Sequence, residues 1–92
     1  DTMILYIFFV ENPQTVEIKF KIVDEITKYC QEKEYHILLV DGVKVFFEDG
    51  SALVRASNTG PNITTRFEAK TKEKLKIIET EFMNLISEKL NQ

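Results

Sequence analysis

The most chemically suggestive stretch of the chain is Arg55-Ala56-Ser57-Asn58-Thr59-Gly60-Pro61. It combines an arginine, an amide, two hydroxyls, a glycine and a proline, and its only aliphatic side chain outside the proline ring is the methyl group of Ala56. With so little apolar surface to bury, the segment reads as a turn. Hydroxyls and successive backbone N–H groups that converge in a tight turn form a concave anion site. An arginine at the root of the turn adds charge and a planar fork that matches phosphate oxygens. The expected chemistry is therefore phosphate binding. Ser57 and Thr59 donate through their hydroxyls, the N–H groups of residues 57 to 60 point inward, and Arg55 engages two oxygens at once. Gly60 permits a positive φ, and Pro61, with no N–H, stiffens the exit.

Other reactive side chains point to structure. His36 opens a strand beside aromatic residues. Cys30 lies on the apolar stripe of a helix, where a thiol behaves as a small hydrophobe. One histidine and one cysteine far apart assemble no metal site. Asp41, Glu48 and Asp49 sit at turns and form no paired-carboxylate centre. No nucleophile–base pair and no phosphate-cradling glycine loop of the nucleotidase kind is present.

The elements that must position the loop follow from periodicity. Met3 to Val10 is rich in aromatic and β-branched residues and reads as a strand. Asn12-Pro13 supplies a cap and a first-turn proline for a helix running to about Lys33. Phe20, Val23, Ile26 and Cys30, with Ile22 and Tyr29 beside them, recur at helical spacing as its apolar stripe. The period then falls to two. Strands are expected over Tyr35–Val40, Val43–Phe47, Ser51–Ala56 and Asn62–Ala69, with Asp41-Gly42 and Asp49-Gly50 as hairpin turns. Thr71 caps a closing helix whose stripe is Leu75, Ile78, Phe82, Leu85 and Ile86. The order β-α-β-β-β-β-α predicts an α+β two-layer sandwich, a mostly antiparallel sheet with both helices on one face.

Composition bounds the rest. The chain has 92 residues, enough for one domain, residues 1–92, around a single core. A formal charge of −3 argues against nucleic acid as a partner. The lone cysteine excludes an internal disulfide and suits a reducing, cytoplasmic setting. No apolar run reaches the roughly 18 residues that a membrane-spanning helix needs. Asp1 in place of an initial methionine suggests a piece of something longer.

The stretch from Asp41 to Ala69, DGVKVFFEDGSALVRASNTGPNITTRFEA, resembles the C-terminal domain of the α-D-phosphohexomutases. Its RASNT loop is more similar to the phosphomannomutase/phosphoglucomutase branch than to the aminosugar-phosphate branches, which usually show a PSGTEP-like loop. The resemblance implies a TBP-like β-α-β4-α fold. It also implies that the chain is the fourth domain of an isomerase that interconverts hexose 1- and 6-phosphates through a bisphosphorylated intermediate. In such an enzyme the phosphoserine and Mg²⁺ site lie in other domains, so no cofactor is expected in this one, while the parent uses Mg²⁺ and a hexose 1,6-bisphosphate. The implied task here is to grip the phosphate of glucose or mannose 1- or 6-phosphate that is not being transferred, with the other domains of the same chain as partners. The matching ligands are Arg55, Ser57, Asn58 and Thr59. Gly60 departs from the family's frequent glutamate or threonine, so it serves the turn without a side-chain contact. Arg66 also matches a family arginine, but it stands well along the last strand, either as a ligand or as a structural partner of Glu68 or Glu48. The alternative is a self-contained α+β ligand-binding or protein-interaction module, suggested by the apolar first strand.

Overall fold

The computed structural model describes the backbone of residues 4–11, 15–39, 41–56 and 62–90, and the side chains of residues 19–39, 41–56 and 63–89. Its elements are β1 (Ile4–Glu11), α1 (Thr15–Glu32), β2 (His36–Leu39), β3 (Val43–Phe47), β4 (Gly50–Ala56), β5 (Asn62–Ala69) and α2 (Lys72–Leu90). The five strands form one sheet in the order β1-β5-β4-β3-β2, and every pairing is antiparallel. Three successive hairpins build β2 to β5. The first strand then adds to the far edge beside β5, with Ile4 opposite Ala69 and Glu11 opposite Asn62.

Alternation decides which face is covered. Val43, Val45, Ala52, Val54, Ala56, Ile63, Phe67 and Ala69 are buried on one side, where both helices pack. From α1 come Ile22, Val23, Ile26 and Cys30; from α2 come Leu75, Ile78, Phe82 and Ile86. Each large side chain so removed from water contributes roughly 1.5–3 kcal/mol, which is how a chain of this size offsets the entropy of ordering. The closing helix starts where expected: the Lys74 N–H donates to the Thr71 hydroxyl at 3.1 Å. The proposed Asn12-Pro13 cap lies outside the described residues.

Phe20 departs from its expected place. It is 57% exposed, because Lys19, three residues before Ile22 and four before Val23, takes the core-facing position and is buried. The Lys19 ammonium lies 5.1 Å from the centroid of the Phe20 ring, a cation–π contact that covers one face of the aromatic. The strand expected to begin at Tyr35 begins at His36. The Tyr35 N–H donates to the carbonyl of Cys30, and the Glu34 N–H to that of Gln31, both at 3.0 Å. With Glu34 at φ 59° this is a Schellman closure of α1, which commits the Tyr35 backbone to the helix end.

The two Asp-Gly turns also differ from a simple two-residue hairpin. Leu39 pairs with Val43, so three residues separate the paired positions, with Asp41 at φ 68° and Gly42 at φ 133°; Val40, the expected end of the strand, lies outside the described residues. Phe47 pairs with Gly50, so the second turn is centred on Glu48-Asp49 and Gly50 already belongs to β4. Gly50 is required there for space: a Cβ would stand 2.4 Å from the Glu68 carbonyl oxygen and 2.8 Å from Ile78 Cδ1.

Candidate functional site

β4 delivers Arg55 to the end of the sheet one residue before the strand finishes at Ala56, and β5 resumes at Asn62. Of the expected loop, Ser57, Asn58, Thr59 and Gly60 lie outside the described residues; the ends of β4 and β5 that flank it are described. Arg55 is opposite Thr64, and Leu53 is opposite Arg66. Equal parity puts Arg55 and Arg66 on the same open face of the sheet, as diagonal neighbours whose Cα atoms stand about 7–8 Å apart in such ladders.

Their surroundings separate them. Arg66 Nη2 donates to Glu68 Oε1 at 3.0 Å, and Glu68 also accepts from the Ser51 hydroxyl at 3.4 Å. Of the two partners considered for Arg66, the structure brings it to Glu68. The Arg55 guanidinium has a looser companion: its Nε lies 3.7 Å from Asp41 Oδ2, beyond hydrogen-bonding distance, with the side chains 45% and 63% exposed. An exposed pair of this kind contributes at most about 1 kcal/mol. Among the described residues, Asp41 is the one ionic partner of Arg55, and it approaches Nε rather than the terminal nitrogens.

Asp41 was legible in the sequence only as a turn residue. What places it beside Arg55 is register. Val43 faces Val54, so the preceding turn is laid against the end of β4. Gly42 allows this contact, since a Cβ there would meet the Val54 carbonyl oxygen at 2.5 Å and the Arg55 Cα at 3.1 Å. Hairpin counting could have found the neighbour. The turn divides two hollows. One, of about 300 Å³ on the open face, is lined by Leu38, Asp41, Lys44, Leu53 and Arg55. The other, of about 320 Å³ between the turn and α1, is bounded by Phe20, Val23, Asp24, Thr27, Leu39 and Ala56.

The groups with displaced pKa values are elsewhere, at the end of the sheet where α1 finishes. Burial pushes the Cys30 thiol up to about 11, with the Glu81 charge adding to the shift. Burial and hydrogen bonds to Glu81 raise the hydroxyls of Tyr29 and Tyr35 as well. Cys30 is thus a core residue with little thiolate character. His36 is exposed and meets Phe46 edge-on, with ring centroids 5.4 Å apart. Among the described residues no three metal-ligating side chains converge, and no helix is long and apolar enough to cross a membrane.

An antiparallel sheet with two helices on one face defines an α+β two-layer sandwich. The crystal structure of a phosphoglucomutase/phosphomannomutase family protein from Burkholderia thailandensis shares this fold, with a TM-score of 0.71 over 94% of this chain and 18% of that one, at 23% identity. A profile described as the phosphoglucomutase/phosphomannomutase C-terminal domain matches residues 10–85, and the chain belongs to that family. It is 44% identical over 70 residues to a phosphomannomutase/phosphoglucomutase of Pseudomonas aeruginosa, covering 76% of this chain and 15% of that protein. It is 38% identical over 72 residues to a phosphoglucomutase of Neisseria meningitidis serogroup B, covering 77% of this chain and 16% of that one. The chain therefore spans less than a fifth of the curated relatives it matches.

Proposed function

We propose that this chain is the substrate-phosphate-binding domain of a larger phosphomannomutase/phosphoglucomutase, an isomerase that moves phosphate between the 1- and 6-positions of a hexose. The observation that carries the reading is Arg55, exposed at the mouth of the polar loop and not hydrogen-bonded to its neighbouring carboxylate. In this reading Arg55, Ser57, Asn58, Thr59 and the Gly60 turn hold the phosphate that is not being transferred, and Arg66 stands behind them as a second cation on the same face. The domain supplies no reacting group of its own. Mg²⁺ and the hexose 1,6-bisphosphate would be held by the other domains, which contribute the chemistry.

A loop that recognises phosphate alone suits such a reaction, because both ends of the hexose take turns at the reacting centre. Each charge-assisted hydrogen bond adds roughly 1.5–3 kcal/mol before desolvation. A lone exposed loop must also offset the lost freedom of the ligand, so the isolated domain is expected to bind at about millimolar strength or weaker. In the intact enzyme, closure of the domain over the substrate would add this anchoring to contacts made elsewhere.

The test is a titration of glucose 6-phosphate or mannose 6-phosphate into isotope-labelled protein, followed by amide resonances. The amides of residues 55 to 60 should shift, and Arg55→Ala should abolish the shifts. Changes centred elsewhere, or none at high millimolar ligand, would overturn the assignment. A concentration-dependent dimer without a phosphate response would favour the self-contained interaction module. Among the described residues Leu38 and Leu39, 49% and 59% exposed on the edge strand β2, offer apolar surface to such contacts; the side chains of the apolar first strand lie outside the described residues.

A further inference from the structure

We propose that Asp41 is a positioning residue for Arg55, holding the guanidinium by its Nε edge so that the two terminal nitrogens present their fork to a phosphate group. The inference rests on the phosphate-binding reading of the loop and names a residue outside it. Three observations carry it. The carboxylate approaches Nε at 3.7 Å, the one guanidinium nitrogen that a ligand bound end-on through both terminal nitrogens does not use. The carboxylate is also carried on backbone that has little freedom. Asp41 is at φ 68°, a left-handed conformation that aspartate tolerates, and Gly42 at φ 133° presses the turn onto the Val54 carbonyl and Arg55 Cα. Finally, both members of the pair line the same hollow on the open face as Leu38, Lys44 and Leu53, with Lys44 as the other cation of that wall.

Physically, arginine carries several rotatable bonds, and binding a ligand through it requires ordering all of them. A fixed opposite charge at the inner edge orders part of the side chain in advance. The long contact leaves the guanidinium's donors unspent. A carboxylate also repels a phosphate dianion, and this opposes the benefit. The two effects predict opposite signs when the charge is removed, which makes the role decidable.

Asp41→Asn is the informative change, because asparagine keeps the volume and accepts the left-handed turn. With inorganic phosphate and glucose 6-phosphate as separate probes, the variant should bind both roughly twofold to fivefold more weakly than the wild type, the size expected of an exposed pair. The Arg55 Nε–Hε resonance should move in the ligand-free variant, a signature that a turn-stabilising role alone would not produce. The melting temperature should be unchanged. Equal or tighter binding by Asp41→Asn, beside a wild type that binds, would overturn the role of Asp41 and show it to be a competitor for Arg55. Absence of binding by both proteins would overturn the phosphate reading and the inference with it.

Discussion

The two ends of the sheet are built on opposite plans. Where α1 finishes, the side chains satisfy one another. The hydroxyls of Tyr29 and Tyr35 both donate to Glu81 Oε2, at 2.9 and 2.7 Å. Tyr35 meets Phe47 edge-on at 5.2 Å, and Phe47 and Phe67 both flank Phe82. Lys33 and Lys74 cover the rings of Tyr29 and Phe47 from outside. At the other end, Phe20 and Leu39 stand exposed, and among the described residues the ion-pair partner of Arg55 is a carboxylate 3.7 Å away. The apolar core reaches both ends, with Val43, Val54 and Ile63 as fully buried as Phe67 and Phe82, but among the described residues the polar and aromatic partners are matched at one end and looser at the other. That division predicts which substitutions unfold the chain and which only disarm it.

The severest break should come from Phe82→Ala at the closed end. Phe82 is fully buried between Phe47 and Phe67, and its loss should remove about 3–5 kcal/mol, read from the urea midpoint. Against the typical stability of a small domain, that leaves little folded protein.

Next in size is Glu81→Ala, which strands two tyrosine hydroxyls and should cost about 1–3 kcal/mol. The same variant sharpens the pH behaviour. The folded Cys30 and tyrosine pKa values lie above their ordinary values of 9.0 and 10.0. The unfolded chain therefore releases these protons first, and the stability tied to them is whole below about pH 9 and is lost as pH climbs through 11 and beyond. Since the Glu81 charge contributes to all three shifts, Glu81→Ala should fall less steeply with alkaline pH in parallel denaturation curves.

Glu34→Gly should act in the opposite direction. Glutamate at φ 59° carries a left-handed strain that glycine does not, so the variant should gain about 0.5–1 kcal/mol in the same assay. Smallest of all should be the stability effect of Arg55→Ala, within about 0.5 kcal/mol, although it abolishes the phosphate response. A large destabilisation there would erase the contrast between the ends.

Local rules carried the sequence reading a long way. β3 falls on Val43–Phe47 as its alternation indicates, and the Thr71 cap closes on Lys74 as its chemistry requires. The failures are tertiary. Phe20 has helical spacing to Val23, but the buried wedge of α1 is set by where the sheet lies, and Lys19 takes that angle. Asp49-Gly50 looked like a turn by type, yet Gly50 is glycine because Glu68 and Ile78 crowd it. At the candidate site the ligand set was suggested by composition and resemblance. The proximity of Asp41 to Arg55 depends on loop length and strand register, which hairpin counting reaches only once the pairing of β3 with β4 is fixed.

The pairing of β1 with β5 has a consequence for how the chain comes into being. Within this domain Ile4–Glu11 is synthesised before its partner Asn62–Ala69, which follows only after β2, β3 and β4. Until then the nascent strand has no ladder to join, and afterwards the outer margin of β5 stays bare until β1 returns to it. In that interval the N-terminal strand of a second copy fits the vacancy equally well. Exchange of first strands between copies is therefore the misassembly that this topology invites.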